Sequence, residues 1–400
     1  MTTTARPLAG LRVLELGQLL AGPFCGSILA YFGAEVIKVE PPGGDPIRGW
    51  RVLDDDGTSY WWRSLGRNKK CITVDLRSER GQDTVRRLAE RSDVLIENFS
   101  PGVLERWGLA PAVLKATNPR LVVARISGYG QDGPYASRPG FASVCEGISG
   151  FRYLNGFAGE VPVRANLSVG DTIAGLHAVL GILLALRARD ALPGGTGQVV
   201  DVALYESMFN LLEAVVPEYS GAGVVRQPAG TTVTGIVPTN TYRCSDGRCV
   251  VIGGTGDSNL RLLMDAIGRS DHGADPQLAN NAGRVAREPE IDAALGAWCA
   301  ARPAAEVLGL LQSQRVPVGP IYDVADLCAD PHFRARGLFE RVEVDGKPLE
   351  IPALMPRLAD TPGATEWPGP AVGSHTDQVL REVLGLEDAE IASLRADGTI

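Results

Sequence analysis

Residues 11–40, LRVLELGQLLAGPFCGSILAYFGAEVIKVE, decide the fold class. A short β-rich run, Leu11 to Leu16, ends at Gly17, and Pro23 sits where a first helical turn tolerates a missing N–H. Apolar residues continue to Phe32, Gly33 stops the helix, and Glu35 to Glu40 reads as a second strand. Strand, helix and strand in thirty residues make a βαβ unit. Its right-handed crossover sets the two strands parallel.

The alternation continues outward. Pro41 to Asp56 is a Pro/Gly/Asp-rich loop, a place where function can sit. A strand follows at Cys71 to Val74, then a charged helix from a Ser78 cap to Arg91. Val94–Glu97 and Leu121–Ile126 are further strands, with short helices at Pro101–Trp107 and Pro111–Thr117 between them. This pattern predicts an α/β fold with a mainly parallel sheet covered on both faces. A weak helix is expected at Phe141 to Gly150, a strand at Gln198 to Ala203 and a helix from Tyr205 to about Pro217. The Gly/Thr/Val-rich stretch 221–235 reads as a linker. Beyond it the texture changes to a hairpin over Thr239–Ile252, turning at Ser245-Asp246-Gly247, and then helices. The expected organisation is a large domain over 1–220, the linker, a smaller α+β domain over 236–328, and a return to the large domain over 329–400.

Composition narrows the function. A 44% apolar and 22% charged share is that of an ordinary globular protein. A net charge of −8 argues against a nucleic-acid partner, which needs phosphate-neutralising charge, and no basic run suits an anionic membrane. Met1 to Pro7 has no apolar core of a leader peptide. The longest apolar run, Ile173 to Leu186, contains His177 and two glycines and reads as a buried helix too short to span a bilayer. Seven scattered cysteines suggest no disulfide framework and a reducing, cytoplasmic setting.

Several chemistries lack their parts. There is no G-x-S-x-G, H-E-x-x-H, P-loop or paired Cys-x-x-Cys, and the four histidines are far apart, so no metal is expected. Gly128-Tyr129-Gly130-Gln131-Asp132-Gly133 matches G-x-G-x-x-G, but Pro134, Tyr135 and Pro139 follow where a dinucleotide site needs a helix. In Ser168-Val169-Gly170-Asp171-Thr172, a carboxylate precedes the long apolar run. Asp171 reads either as a helix cap or as a catalytic nucleophile, and local chemistry leaves both open. His177, six residues on, faces largely away from it.

Taken together, the motifs are similar to those of the class III (CaiB/BaiF-type) CoA-transferases, the family that also holds formyl-CoA transferase and α-methylacyl-CoA racemases. They are Leu8-Ala9-Gly10-Leu11-Arg12-Val13-Leu14-Glu15, Ala21-Gly22-Pro23, Phe32 to Glu40, Asn68-Lys69-Lys70, and Glu97-Asn98-Phe99-Ser100-Pro101-Gly102. Gly128 to Pro134, Gly170-Asp171, Asp330-Pro331 and Gly373-Ser374-His375-Thr376-Asp377 complete the set. The resemblance implies a Rossmann-like large domain built from both chain ends, a small domain between them, and an interlocked homodimer. It implies a CoA-transferase that uses acyl-CoA as substrate, with Asp171 as nucleophile passing through mixed anhydrides and an aspartyl-CoA thioester. It carries over Leu20, Ala21, Val74, Arg77, Asn98, Phe99 and Arg106 as CoA contacts, and Gln18, Glu146 and Arg164 as substrate residues. Arg164 could hold the far carboxylate of a dicarboxylic (succinyl-type) acyl group, or else form a structural ion pair.

The departures also inform. Pro41 stands where relatives often place an arginine against adenine, leaving Arg48 or Lys70 to compensate. Phe141 stands where racemases have a histidine, and proton exchange at Cα needs two poised groups, so transfer is preferred to racemisation. Glu146 replaces the glutamine of the formyl-CoA transferases. A 2-methylacyl-CoA epimerase and a CoA-binding protein that has lost its chemistry are the alternatives.

Overall fold

The computed structural model describes residues 6–400, so the leader reading, which rests on the first residues, lies largely outside them. The chain divides into two compact units. The first contains 1–151, 165–213 and 334–400, and the second 152–164 and 214–333. The residues expected to form the small domain lie in the second unit, which also takes in 152–164 and therefore Arg164.

The first unit is built on β1 (Arg12–Glu15), β2 (Glu35–Glu40), β3 (Lys69–Thr73), β4 (Val94–Glu97), β5 (Val122–Ser127) and β6 (Val199–Ala203). All pair in parallel, in the order β3-β2-β1-β4-β5-β6. The chain steps outward in one direction through β3 and in the other from β4, so the crevice between β1 and β4 is the switch point where ligands bind in such sheets. Successive side chains alternate between two cores. Val13, Val94, Ile96, Val122 and Ala124 enter one, while Leu14, Leu95 and Val123 enter the other. That is the double burial a covered parallel sheet demands. The C-terminal residues of this unit add no strand to the sheet. They supply a separate antiparallel hairpin, Phe339–Val344 with Lys347–Pro352, and the helices Thr376–Leu384 and Asp388–Ala396.

The helices that matter to the site are α1 (Ala21–Tyr31), α2 (Tyr60–Leu65), α3 (Glu79–Ala89), α4 (Val103–Arg106), α5 (Pro111–Thr117), α6 (Ala142–Ile148) and α7 (Val169–Ala191). α7 differs from its expected form. It begins before Asp171, with Ser168 at the N-cap, and runs for 23 residues. By length and composition it could cross a membrane, so the expectation that it is too short is corrected. Nor is it wholly buried. Ala174, Gly175, Ala178, Ile182 and Ala185 face the core, while Leu176, Leu180, Leu183 and Leu184 stay exposed. The helix expected from Tyr205 to Pro217 is two, Leu204–Phe209 and Val215–Ala222. In the second unit, Thr239–Arg243, Cys249–Gly253 and Val318–Pro320 form an antiparallel sheet over a core that includes Val250, Leu263, Ile291 and Val307.

Candidate active site

The turn after β1 is held by buried charge. Lys38 Nζ donates to the Gly17 carbonyl at 2.7 Å and pairs with Asp45 at 2.8 Å and Glu15 at 3.2 Å. Lys69 Nζ pairs with the other Glu15 oxygen at 2.8 Å and donates to the Pro23 carbonyl at 2.6 Å. Asp45 in turn accepts from the Leu19 N–H at 3.1 Å, where the backbone takes a left-handed φ of 63°. Burial alone would push the Lys38 ammonium down, but Asp45, Glu15 and Glu40 outweigh it and hold the group above the ordinary lysine value. Burial wins at Lys69, with Glu15 opposing, and its pKa is lowered. Removing one member of such a network leaves an uncompensated charge, so the 16–20 turn is rigidly specified.

The turn after β4 closes on it from the other side. The Asn98 side chain accepts from the Gln18 N–H and donates to the Gln18 carbonyl, both at 2.8 Å. Both polar ends of Asn98 are thus directed at the β1 turn, a positioning role beside its expected one as a CoA contact. Below it, Glu97 accepts from the Phe99 N–H at 2.8 Å and from Arg125 Nε at 2.7 Å, and Arg125 also clasps Glu105. Burial pushes Glu97 up to about 7 against the pull of Arg125.

Asp171 enters from α7, and its expected place as a cap is corrected. Ser168 is the N-cap, so Asp171 is the third helical residue, where the aligned peptide dipoles favour an anion. Gly175, one turn on, lets α7 cross the start of α1. A Cβ there would lie 2.9 Å from the Ala21 carbonyl oxygen and 3.0 Å from the Phe24 ring. Glu146 of α6 is buried beneath the same turn, and its Oε1 accepts from the Gly170 N–H at 3.4 Å. Burial, then the charges of Asp171 and Glu146, push the neighbouring Cys145 thiol up to about 11, so this thiol stays protonated.

A cavity of about 280 Å³ gathers Asp171 with Gln18, Leu20, Ala21, Asn98, Phe99, Arg138 and Phe141. A second, of about 370 Å³, shares Gln18 and Phe99 with it and is lined by Pro41, Val74, Arg77 and Trp107. Phe99 and Trp107 meet edge to face at 5.1 Å. Arg77 is 81% exposed and paired with Asp75 at 2.9 Å. Arg106 lies on the exposed side of α4 and lines neither cavity. Arg164 belongs to the second unit, whereas every residue of both cavities belongs to the first.

Both basic residues expected to stand in for an arginine at Pro41 are paired with carboxylates. Arg48 is stacked 3.8 Å over Trp62 and clamps Glu40 through two nitrogens, while Lys70 pairs with Glu35 at 2.7 Å. Three contributors escape sequence reasoning: Arg138, Trp107 and the Lys38 network. Lysine and glutamate inside the strand run 35–40 are the one signal that could have revealed the last. The glycine-rich loop after β5 forms no helix until α6, as the prolines indicate, and Gly128 and Cys145 instead meet through a 3.3 Å thiol–carbonyl contact. His177 lies 3.4 Å from Asn210 and lines neither cavity. Among the described residues no three His, Cys, Asp or Glu side chains gather as a metal-holding group.

The sequence model described as CoA-transferase family III matches residues 8–376. A succinyl-CoA–D-citramalate CoA-transferase of Chloroflexus aurantiacus is 42% identical over 397 residues, covering 99% of this chain and 98% of that protein. The alpha subunit of a succinyl-CoA–L-malate CoA-transferase of Chloroflexus aurantiacus is 41% identical, covering 98% of this chain and 92% of its own. Among solved structures, a CAIB/BAIF family protein from Brucella suis superposes with a TM-score of 0.83 at 34% identity, covering 95% of this chain and 100% of that one.

Proposed function

The chain belongs to CoA-transferase family III, and from that premise we propose that it moves CoA between dicarboxylic acids, with Asp171 as covalent nucleophile. The observation that carries this reading is that Asp171, in the first turn of a long helix, lines one cavity with the two turns at the sheet's switch point. The dicarboxylate preference is supported by relatives named for succinyl-CoA, citramalate and malate.

In the proposed reaction an Asp171 oxygen attacks the thioester carbonyl. A C–O bond forms, the C–S bond breaks, and CoA leaves as thiolate from a mixed anhydride. The thiolate then attacks the aspartyl carbonyl, giving an aspartyl-CoA thioester and releasing the donor acid. An acceptor carboxylate attacks that thioester and the two steps run in reverse, so no net proton or water is consumed. Splitting the exchange this way avoids hydrolysis. The aligned peptide dipoles at the α7 N-terminus stabilise charge on the tetrahedral intermediates. Glu146 anchors this turn through Gly170, and Gln18 faces the reacting carbonyl.

CoA is proposed to run from this cavity into the one bordered by Val74 and Trp107. Leu20 and Ala21 are proposed as backbone contacts and Phe99 as an apolar wall. Arg77 would exchange Asp75 for a phosphate, and Arg106 would act from the rim. Phe141 beside Asp171 supports transfer over racemisation, because a phenyl ring has no acidic or basic group to exchange a proton. The protein is proposed to be cytoplasmic and to act as an interlocked homodimer, for which the exposed leucine row of α7 supplies an apolar face.

Incubation with succinyl-CoA and then hydroxylamine should give a hydroxamate on Asp171 by peptide mass spectrometry. Asp171→Ala should abolish both the adduct and turnover. Retained CoA transfer in Asp171→Ala would sink the mechanism.

A further inference from the structure

A third cavity, of about 390 Å³, opens beside Leu20, which also lines the Asp171 cavity. One wall is the first turn of α7, where Ser168 and Thr172 bracket Asp171. Phe24, Trp61 and Leu65 make much of the rest apolar. Two arginines line it. Arg67 is committed: its nitrogens donate to the Ser64 carbonyl and hydroxyl and to the Pro352 carbonyl at 2.6–2.7 Å.

Arg51 differs. Its guanidinium lies 3.8 Å over the Trp61 ring, which fixes its plane, and it pairs with no carboxylate among the described residues. The nearby acidic loop does not supply one. Asp54 accepts from the Tyr60 hydroxyl, Asp55 is paired with Lys347, and Asp56 is paired with Arg63 at 2.6 Å. Arg51 also holds a left-handed φ of 64°, a conformation that residues other than glycine rarely adopt. An oriented, unpaired guanidinium at the edge of an apolar cavity is matched by an anion on an aliphatic stem.

We propose that this cavity holds the acyl chain of a dicarboxylic substrate and that Arg51 binds its distal carboxylate. Donor acyl group and acceptor acid occupy the place in turn, because each is joined to Asp171 in one half of the reaction. The proposal rests on the CoA-transferase reading above and assigns to Arg51 the contact that sequence reasoning offered to Arg164.

The test compares wild type with Arg51→Gly, Arg51→Lys and Arg164→Ala, using succinyl-CoA as donor and malate or butyrate as acceptor. Glycine suits the left-handed backbone, so Arg51→Gly removes the guanidinium without adding strain. Where an acid is not turned over, its inhibition constant replaces its KM. Arg51→Gly should lower the preference for malate over butyrate by about tenfold or more, as loss of a charge-assisted hydrogen bond does. Arg51→Lys should recover part of it. An unchanged preference in Arg51→Gly, or a loss confined to Arg164→Ala, would overturn the assignment and leave the transferase reading intact. A wild-type protein that transfers CoA to no acid would instead overturn the reading beneath it.

Discussion

Single positions carry unusual weight around the β1 turn. A Cβ on Gly26 would come within 1.8 Å of Glu15 Oε2, whose carboxylate holds both buried lysines. Gly26→Ala should therefore cost about 3–5 kcal/mol, the range for disrupting a buried ion pair, and a urea melt should show a lower midpoint with an unchanged slope. Asn98→Ala breaks only two hydrogen bonds to Gln18, so its stability cost should be about 1–2 kcal/mol while KM for acyl-CoA rises about tenfold. Asn98→Asp, which keeps the acceptor and loses the donor, should fall between the two. Glu97 gives a pH signature. Its folded pKa, about 7, lies above the usual 4.5, so between these values the folded state binds the extra proton. Stability from this group is full below about 4.5 and is lost as pH rises toward 7. Glu97→Gln should flatten that slope in melts taken across the window, and an unaltered slope would refute the assignment.

Among the elements, α7 does most to join fold and chemistry. It reaches α1 only because Gly175 leaves room for the Ala21 carbonyl. Gly175→Val should push the two helices apart, cost about 1–3 kcal/mol, and lower kcat more than it raises KM for acyl-CoA, since the nucleophile moves with its helix. A kcat loss no larger than the KM change would argue against that coupling. Elements of this kind were unevenly legible. The parallel sheet could be read from sequence because Val13 and Leu14, or Leu95 and Ile96, must serve opposite cores, and period-2 burial is a local pattern. The cap of α7 is not legible locally, because Asp is a common N-cap and nothing in the sequence distinguishes it from Ser168 three residues earlier. The exposed leucines were misread for a related reason: apolarity around a helix indicates burial against something without naming what. The pairing of Arg48 with Glu40 and of Lys70 with Glu35 had no signal in the sequence, because it depends on neighbouring strands and loops meeting. Arg51 gave no signal, since its significance lies in what surrounds it.

At the scale of the whole molecule, the proposed dimer makes a direct prediction. Leu180→Glu combined with Leu184→Glu places two charges on the apolar face of α7, so light scattering should show the mass falling toward that of one chain. A dimer that survives this change would place the interface elsewhere. The sheet also imposes an order on the protein's synthesis. All six strands have been synthesised once Ala203 is made, but the free side of β3 is closed only by the C-terminal segment. There the His375 N–H donates to the Cys71 carbonyl, and the Thr376 hydroxyl accepts from the Thr73 N–H. At ordinary elongation rates the nascent chain waits roughly 10–35 s with that strand uncovered. An uncovered strand edge invites pairing with another chain. Ribosome-bound chains stalled before residue 370 should therefore recruit holdase chaperones, and release of the full-length chain should dismiss them.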